Sequence, residues 1–171
     1  MFKPALHWVR GLELYHLALM PRPFGGEWLI EEIESWRCAG ITSVVSFLEW
    51  REMRDMELEQ EEALCGMAGI RFRSFPIKDR GTPDSVPAVS ALVTALAAEL
   101  AAGEAVAIHC RGGIGRTGLI AGCLLHALGI PQQDILPMLS RARGVTVPDT
   151  PEQEEWLKHF VKTFSPISSS S

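Results

Sequence analysis

The chain has 171 residues, 47% hydrophobic and 22% charged, with a formal net charge of −5 at pH 7. That length suits one domain with a substantial core. The acidic balance argues against a general nucleic-acid binder, which would show basic excess, but leaves room for a phosphate substrate held by a local field.

Leu12–Met20 (LELYHLALM) reads as a first strand that stops at Pro21-Arg22-Pro23, where a helix cannot continue. Glu27–Cys38 reads as a helix, with Trp28, Leu29, Glu32, Ile33 and Trp36 at helical spacing and Gly40 closing it. Ile41–Leu48 (ITSVVSFL) is β-branched and uncharged, the pattern of a buried parallel strand. Glu49–Glu62 (EWREMRDMELEQEE) is rich in charge. Its plainest reading is a solvated loop running into a helix, with Met56, Ala63, Leu64 and Met67 partly buried. Ile70–Phe75 alternates like a strand, and Pro76–Asp84 (PIKDRGTPD) follows as an ordered turn. Val86–Ala102 is an alanine- and leucine-rich helix entered at Pro87, and Asp84 suits its N-cap.

Ala105–Ile108 reads as a buried strand and His109–Gly115 as a glycine-rich turn. Arg116–Leu128 (RTGLIAGCLLHAL) is apolar nearly all round, as a buried central helix should be. Cys123 and His126 within it read as packing residues. Pro131–Arg143 forms another helix, broken or kinked at Pro137, whose terminal arginines suit the helix dipole. Asp149-Thr150-Pro151-Glu152 opens a last helix through Phe164. No repeat or linker divides the chain, so residues 1–164 make one domain and 165–171 a short disordered tail.

The chemistry concentrates in Ala105–Gly118, AVAIHCRGGIGRTG. A strand, a glycine-rich turn and a helix start form a cradle for an anion, because backbone N–H groups turn inward and the helix N-terminus adds positive potential. A cysteine at its mouth, Cys110, has its thiol pKa lowered and becomes a nucleophile. Arg111, Gly112, Gly113, Ile114 and Gly115 are enough chain to wrap one tetrahedral phosphate. Arg116 then returns to the same anion and grips two of its oxygens with a planar fork. Thr117 places a hydroxyl beside the sulfur, suited to stabilising it as a leaving group. His109 reads as a support behind the loop that hydrogen-bonds its backbone. Expelling a seryl or tyrosyl oxygen also needs a proton donor, and Asp79 in the Pro76–Asp84 turn is the choice over Asp84.

His109 to Thr117, His-Cys-x5-Arg-Thr, resembles the signature of the cysteine-dependent protein tyrosine phosphatases, and the short chain is similar to their dual-specificity branch. Pro76–Asp84 also resembles the acid loop of the cyclin-dependent kinase inhibitor 3 (kinase-associated) phosphatases. The resemblance implies an α/β fold with a central, mostly parallel sheet flanked by helices and the phosphate loop at the C-terminal edge of the central strand. It implies a phosphoprotein phosphatase acting on phosphotyrosine, with phosphoserine and phosphothreonine admitted by a shallow site, through a cysteinyl-phosphate. No metal or other cofactor is expected, since arginine and the loop neutralise the phosphate. Relatives often carry a glutamine at the start of the last helix. Gln153 stands there, although surface solvation is its plainer reading.

The competing readings are a phosphoinositide or other phosphomonoester phosphatase, an RNA triphosphatase, a sulfurtransferase and a phosphate-binding module without activity. The loop lacks the lysines that meet extra lipid phosphates, and cysteine, arginine and acid are all present. The four cysteines show no metal-ligand spacing. The opening residues lack the apolar core of a signal peptide, and neither a membrane span nor a lipid anchor is expected. A reactive thiolate calls for a reducing, cytoplasmic compartment, and a monomer acting on phosphopeptides is expected.

Overall fold

The computed structural model describes residues 2–167. Five strands form one sheet: β1 (His7–Trp8), β2 (His16–Met20), β3 (Ser43–Ser46), β4 (Arg71–Ser74) and β5 (Ala105–His109). Their order is β1-β2-β5-β3-β4, with β1 antiparallel to β2 and every other pair parallel. The expected first strand is therefore a short hairpin. His7–Trp8 pairs back on Leu19–Ala18, and regular pairing begins only at His16. A two-residue strand carries too little periodicity to read from sequence.

Seven helices cover the sheet: α1 (Leu29–Cys38), α2 (Trp50–Asp55), α3 (Glu61–Met67), α4 (Val86–Ala101), α5 (Gly115–Ala127), α6 (Gln132–Arg143) and α7 (Pro151–Thr163). Alternate strand residues feed two cores, as the twofold period of a strand dictates. Leu17, Leu19, Val45, Val106 and Ile108 pack with α4–α7. Ala18, Val44 and Ala107 pack with Ile33 and Trp36 of α1 and Cys65 of α3. Helix α5 is buried along almost its whole length, which its apolar sequence requires. It has no Cβ at Gly122, where one would meet Leu157 at 2.7 Å, so α7 packs directly on its backbone.

Several local expectations need correction. Trp28 lies in a 3-10 turn before α1 and is 53% exposed. Asp84 does not cap α4; the Ser85 side chain accepts the Ala88 N–H instead. Helix α6 runs unbroken through Pro137, in its second turn. Ile167, within the expected disordered tail, donates its N–H to the Ala127 carbonyl at 2.9 Å, while residues 168–171 lie outside the described residues.

The largest correction concerns Glu49–Glu62. It is not a loop running into one helix: it holds the whole of α2 and the first two residues of α3, with most of its side chains exposed. Met67 is exposed and Ala63 with it, whereas Glu52 and Glu61 are buried. The two acids are turned inward because each finds a buried cation, described below.

The sheet places the site by register. Met20, His109 and Ser46 end their strands side by side, so the chain beyond β5 leaves at the C-terminal edge between two neighbours. Pairing continues a little further, with Ile77 N–H bonding Phe47 O at 3.0 Å. This carries the Pro76–Asp84 turn to the same edge.

Candidate active site

The loop after β5 runs from Cys110 to Gly115, and α5 begins where it closes. Gly113 has φ +69°, a left-handed conformation that costs a side-chain-bearing residue energy, and a Cβ there would lie 2.4 Å from Met20 O. The loop is anchored from outside as well. Arg22 N–H bonds Arg111 O at 3.1 Å. Arg143, at the end of α6, donates to Gly113 O at 2.9 Å and to Gly112 O at 3.0 Å. With these carbonyls drawn outward, the loop's N–H groups are left to face its interior.

Cys110 sits at the base, 3% exposed. Burial pushes its thiol up, but the Thr117 hydroxyl and N–H, the Arg116 charge and the Gly113 N–H outweigh burial and hold the pKa below the ordinary thiol value. Its sibling cysteines behave oppositely. Burial pushes Cys65 up to about 12 and Cys123 well above its usual value. All four thiols are free. Thr117 is buried, and its hydroxyl has no oxygen or nitrogen partner among the described residues.

Arg116 is 1% exposed, and its guanidinium is held on nearly every side. Glu52 grips it with both oxygens: Nη1 donates to Oε2 at 2.7 Å and Nη2 to Oε1 at 2.9 Å. Nη1 also donates to Ile77 O at 2.9 Å, and Nη2 to Asp79 Oδ1 at 3.1 Å. Only the Nε–H has no partner. Asp79 itself is half exposed at the mouth.

Behind the loop, His109 has no solvent exposure. Its Nδ1 lies 3.1 Å from Cys110 O and its Nε2 2.7 Å from Glu61 Oε1. Burial lowers its pKa, but the Glu61 charge and hydrogen bond prevail and leave it raised. With an oxygen facing each ring nitrogen, the doubly protonated form is the one that can donate to both.

Gln153 is not a surface residue. It is fully buried at the start of α7, where its Oε1 accepts the N–H groups of Asp149 and Thr150 at 3.1 Å each. Its Nε2 donates to Gly81 O at 3.0 Å, tying α7 to the Asp79 turn. Arg80 and Asp149 form a second tie at 2.8 Å.

These residues enclose a cavity of about 270 Å³ lined by Asp79, Cys110, Arg111, Arg116 and Gln153, among others. The cavity brings together Asp79, Cys110, Arg116 and Arg111, Gly112, Ile114 and Gly115 of the loop; Thr117 and Gly113 lie outside its lining but against Cys110, and Asp84 lies outside it altogether. The sequence reading did not find Glu52, Glu61 or Arg143. A faint signal existed for Glu52, since Glu49 and Glu52 are spaced as a capping box, which they form. Nothing local marked the other two, whose partners are far away in the chain. Among the described residues no cluster of three or more His, Cys, Asp or Glu side chains is placed to hold a metal ion, and no helix is long and apolar enough to cross a membrane.

Comparison with known proteins adds a second line of support. The family described as "Swiss Army Knife protein, DSP-PTPase phosphatase domain" matches residues 8–168. The chain is 30% identical over 152 residues to the tyrosine-phosphatase-like protein 067L of Invertebrate iridescent virus 3, covering 82% of this chain and 60% of that protein. It is 31% identical over 132 residues to cyclin-dependent kinase inhibitor 3 of Rattus norvegicus, covering 76% of this chain and 62% of the relative. The chain thus spans about three-fifths of the length of these relatives. A crystal structure of kinase associated phosphatase, with the catalytic cysteine replaced by serine, superimposes with a TM-score of 0.85 at 24% identity, over 95% of this chain and 97% of that one.

Proposed function

The chain belongs to the DSP-PTPase phosphatase domain family, and from that premise we propose that it hydrolyses phosphotyrosine, and phosphoserine or phosphothreonine, in protein substrates through a cysteinyl-phosphate on Cys110. The observation that carries this reading is a thiol of lowered pKa at the base of a cavity that also receives Arg116 and Asp79. A dianion seated in the loop meets the N–H groups of Arg111 to Arg116, which stabilise charge already placed to receive it. Arg116 supplies its unpartnered Nε–H and the Nη2–H now shared with Asp79. Taking up that second N–H releases Asp79, which takes a proton from solvent and, as the carboxylic acid, gives it to the leaving oxygen as sulfur attacks phosphorus in line. In the second half, water attacks the cysteinyl-phosphate with Asp79 as base. The Thr117 hydroxyl, left without another partner, stabilises the departing thiolate.

The phosphoinositide reading is the weaker one. Arg111 is the sole cation between Cys110 and Arg116, and Ile114 is apolar. A reduced nucleophile fits a reducing compartment, the cytoplasm.

The test is hydrolysis of para-nitrophenyl phosphate and of a phosphotyrosine peptide, in reducing buffer with chelator. Wild type turns over both, Cys110→Ser turns over neither, and Asp79→Asn loses about 10²–10⁴-fold on the peptide but much less on the activated ester. An inert wild type overturns the reading and leaves a phosphate-binding module.

A further inference from the structure

Beside the catalytic cavity lies a second hollow of about 330 Å³, and the two share Arg111 on their rims. Lys3, Arg22, Phe24 and Glu32 line it with Arg111. The chain as a whole has 16 Lys and Arg against 21 Asp and Glu, so three cations around one hollow reverse the overall balance. Among the described residues, neither Lys3 nor Arg22 has a carboxylate within 4.0 Å. Among the described residues the Arg22 side chain donates only to the adjacent Pro23 carbonyl, at 2.8 Å. Arg111 has Glu52 at 3.5 Å, but that carboxylate is gripped by Arg116.

Glu32 is the one acid on the wall. It is buried and already occupied, its Oε2 accepting the Phe24 N–H at 2.6 Å. Burial pushes its pKa above the usual carboxylate range, against the charges of His109 and Arg22. The lining thus carries three cations to one acid. The hollow also has an apolar side, where Phe2 and Phe24 meet edge to face at 5.8 Å. Its distance from the phosphate loop is fixed, because Arg22 N–H is bonded to Arg111 O.

We propose that Lys3, Arg22 and Arg111 form a second anion subsite, so that the preferred substrates are peptides phosphorylated on two nearby residues. The proposal rests on the phosphatase reading above and narrows it to a substrate class. Arginine forks and an ammonium around a concave surface suit a phosphate dianion better than a lone carboxylate. The Phe2–Phe24 wall offers contact to the stem of the residue that carries it. A peptide is favoured over a lipid headgroup because the phosphate loop itself has no lysine.

The experiment measures kcat/KM on matched peptides, one singly phosphorylated and others with a second phosphoserine up to about three residues to either side. Vesicles containing phosphatidylinositol bisphosphates form a further arm. Wild type is expected to favour one doubly phosphorylated peptide by about tenfold, chiefly through KM, and to lose that advantage as salt rises. Lys3→Ala with Arg22→Ala removes the advantage and leaves turnover of the singly phosphorylated peptide within about twofold, which also reports an intact fold. Equal wild-type rates on the peptides, or an advantage that survives in the double variant, overturn the subsite. Faster turnover of the vesicles than of any peptide overturns the peptide assignment. Wild type inert on every substrate is a different result and overturns the phosphatase reading itself.

Discussion

Glu61 Oε1 lies 2.7 Å from His109 Nε2, in a place where neither side chain reaches solvent. The pair favours the charged form of a ring that sits one residue from Cys110 and one hydrogen bond from its carbonyl. Replacing Glu61 with Gln keeps the shape but removes the charge that held the imidazolium. Burial then wins and His109 becomes neutral. The expected result is a rise in the Cys110 thiol pKa of about one unit, read from the pH dependence of iodoacetamide alkylation. An unchanged alkylation profile would show that the pair serves packing alone.

The same pair sets a stability difference with a definite sign. The His109 pKa is raised in the folded chain. Its contribution is therefore fully present below the unfolded value of about 6.5 and lost as pH rises through the folded value. Glu61→Gln should lower the melting temperature more at pH 6 than at pH 9. Thermal denaturation at both values checks this, and an equal loss at both would argue for a neutral histidine.

Arg143 holds two carbonyls of the phosphate loop, and its Nη1 lies 2.6 Å from His7 Nε2 on β1. Burial and the Arg143 charge keep the His7 pKa below its ordinary value, consistent with an acceptor nitrogen there. Arg143→Ala frees the Gly112 and Gly113 carbonyls, so the loop's N–H groups lose their fixed direction. Inhibition by orthovanadate should weaken about tenfold, with the thiol still reactive towards alkylation. His7→Ala should show the same effect in smaller measure.

Gly112 and Gly113 are neighbours in one motif but face different constraints. A Cβ on Gly113 collides with the Met20 carbonyl in a left-handed conformation, whereas one on Gly112 meets only the Ile114 Cδ1 at 3.9 Å. Gly113→Ala is expected to cost several kcal/mol or to displace the loop, abolishing turnover. Gly112→Ala should retain a wild-type melting temperature. Calorimetry of the two variants side by side decides it.

The sequence revealed what is local and hid what is distant. Cys110, the glycines, Arg116 and Thr117 fall within eight consecutive residues, so their chemistry could be read from spacing. Helices α4 and α5 announced themselves by composition and strands β3 and β5 by β-branched or apolar runs. Glu52 and Glu61 were hidden because they stand 64 and 48 residues from Arg116 and His109. Among so many exposed acids, two that turn inward leave no periodic trace. Gln153 was misread for a related reason. Its two acceptor bonds belong to the helix cap, but its amide nitrogen is held by the Gly81 carbonyl, 72 residues away. Arg143 looked like a helix-dipole residue because only the tertiary fold brings the phosphate loop under it.

Glu52 supplies the last prediction, since it fixes the fork of Arg116 with both oxygens while Arg111 stands 3.5 Å away. Burial pushes the Glu52 carboxyl up, but bonds from Arg116 and from the Glu49 N–H, with the charges of Arg116 and Arg111, hold it below the usual carboxylate range. Glu52→Ala leaves a buried guanidinium short of its main counter-charge, which costs about 3–5 kcal/mol in comparable pairs. Arg116 then leans on Asp79, its other carboxylate, so kcat/KM should fall about 10–100-fold, with the larger part in kcat. The pH dependence follows from a depressed folded pKa. The contribution of Glu52 is fully present above its unfolded value of about 4.5 and is lost as pH falls through the folded value. Urea denaturation of wild type and Glu52→Gln should therefore show a wide gap at pH 7 that narrows towards pH 3. A gap that stays constant over that range would mean that the carboxylate charge contributes nothing and that shape alone holds Arg116 in place.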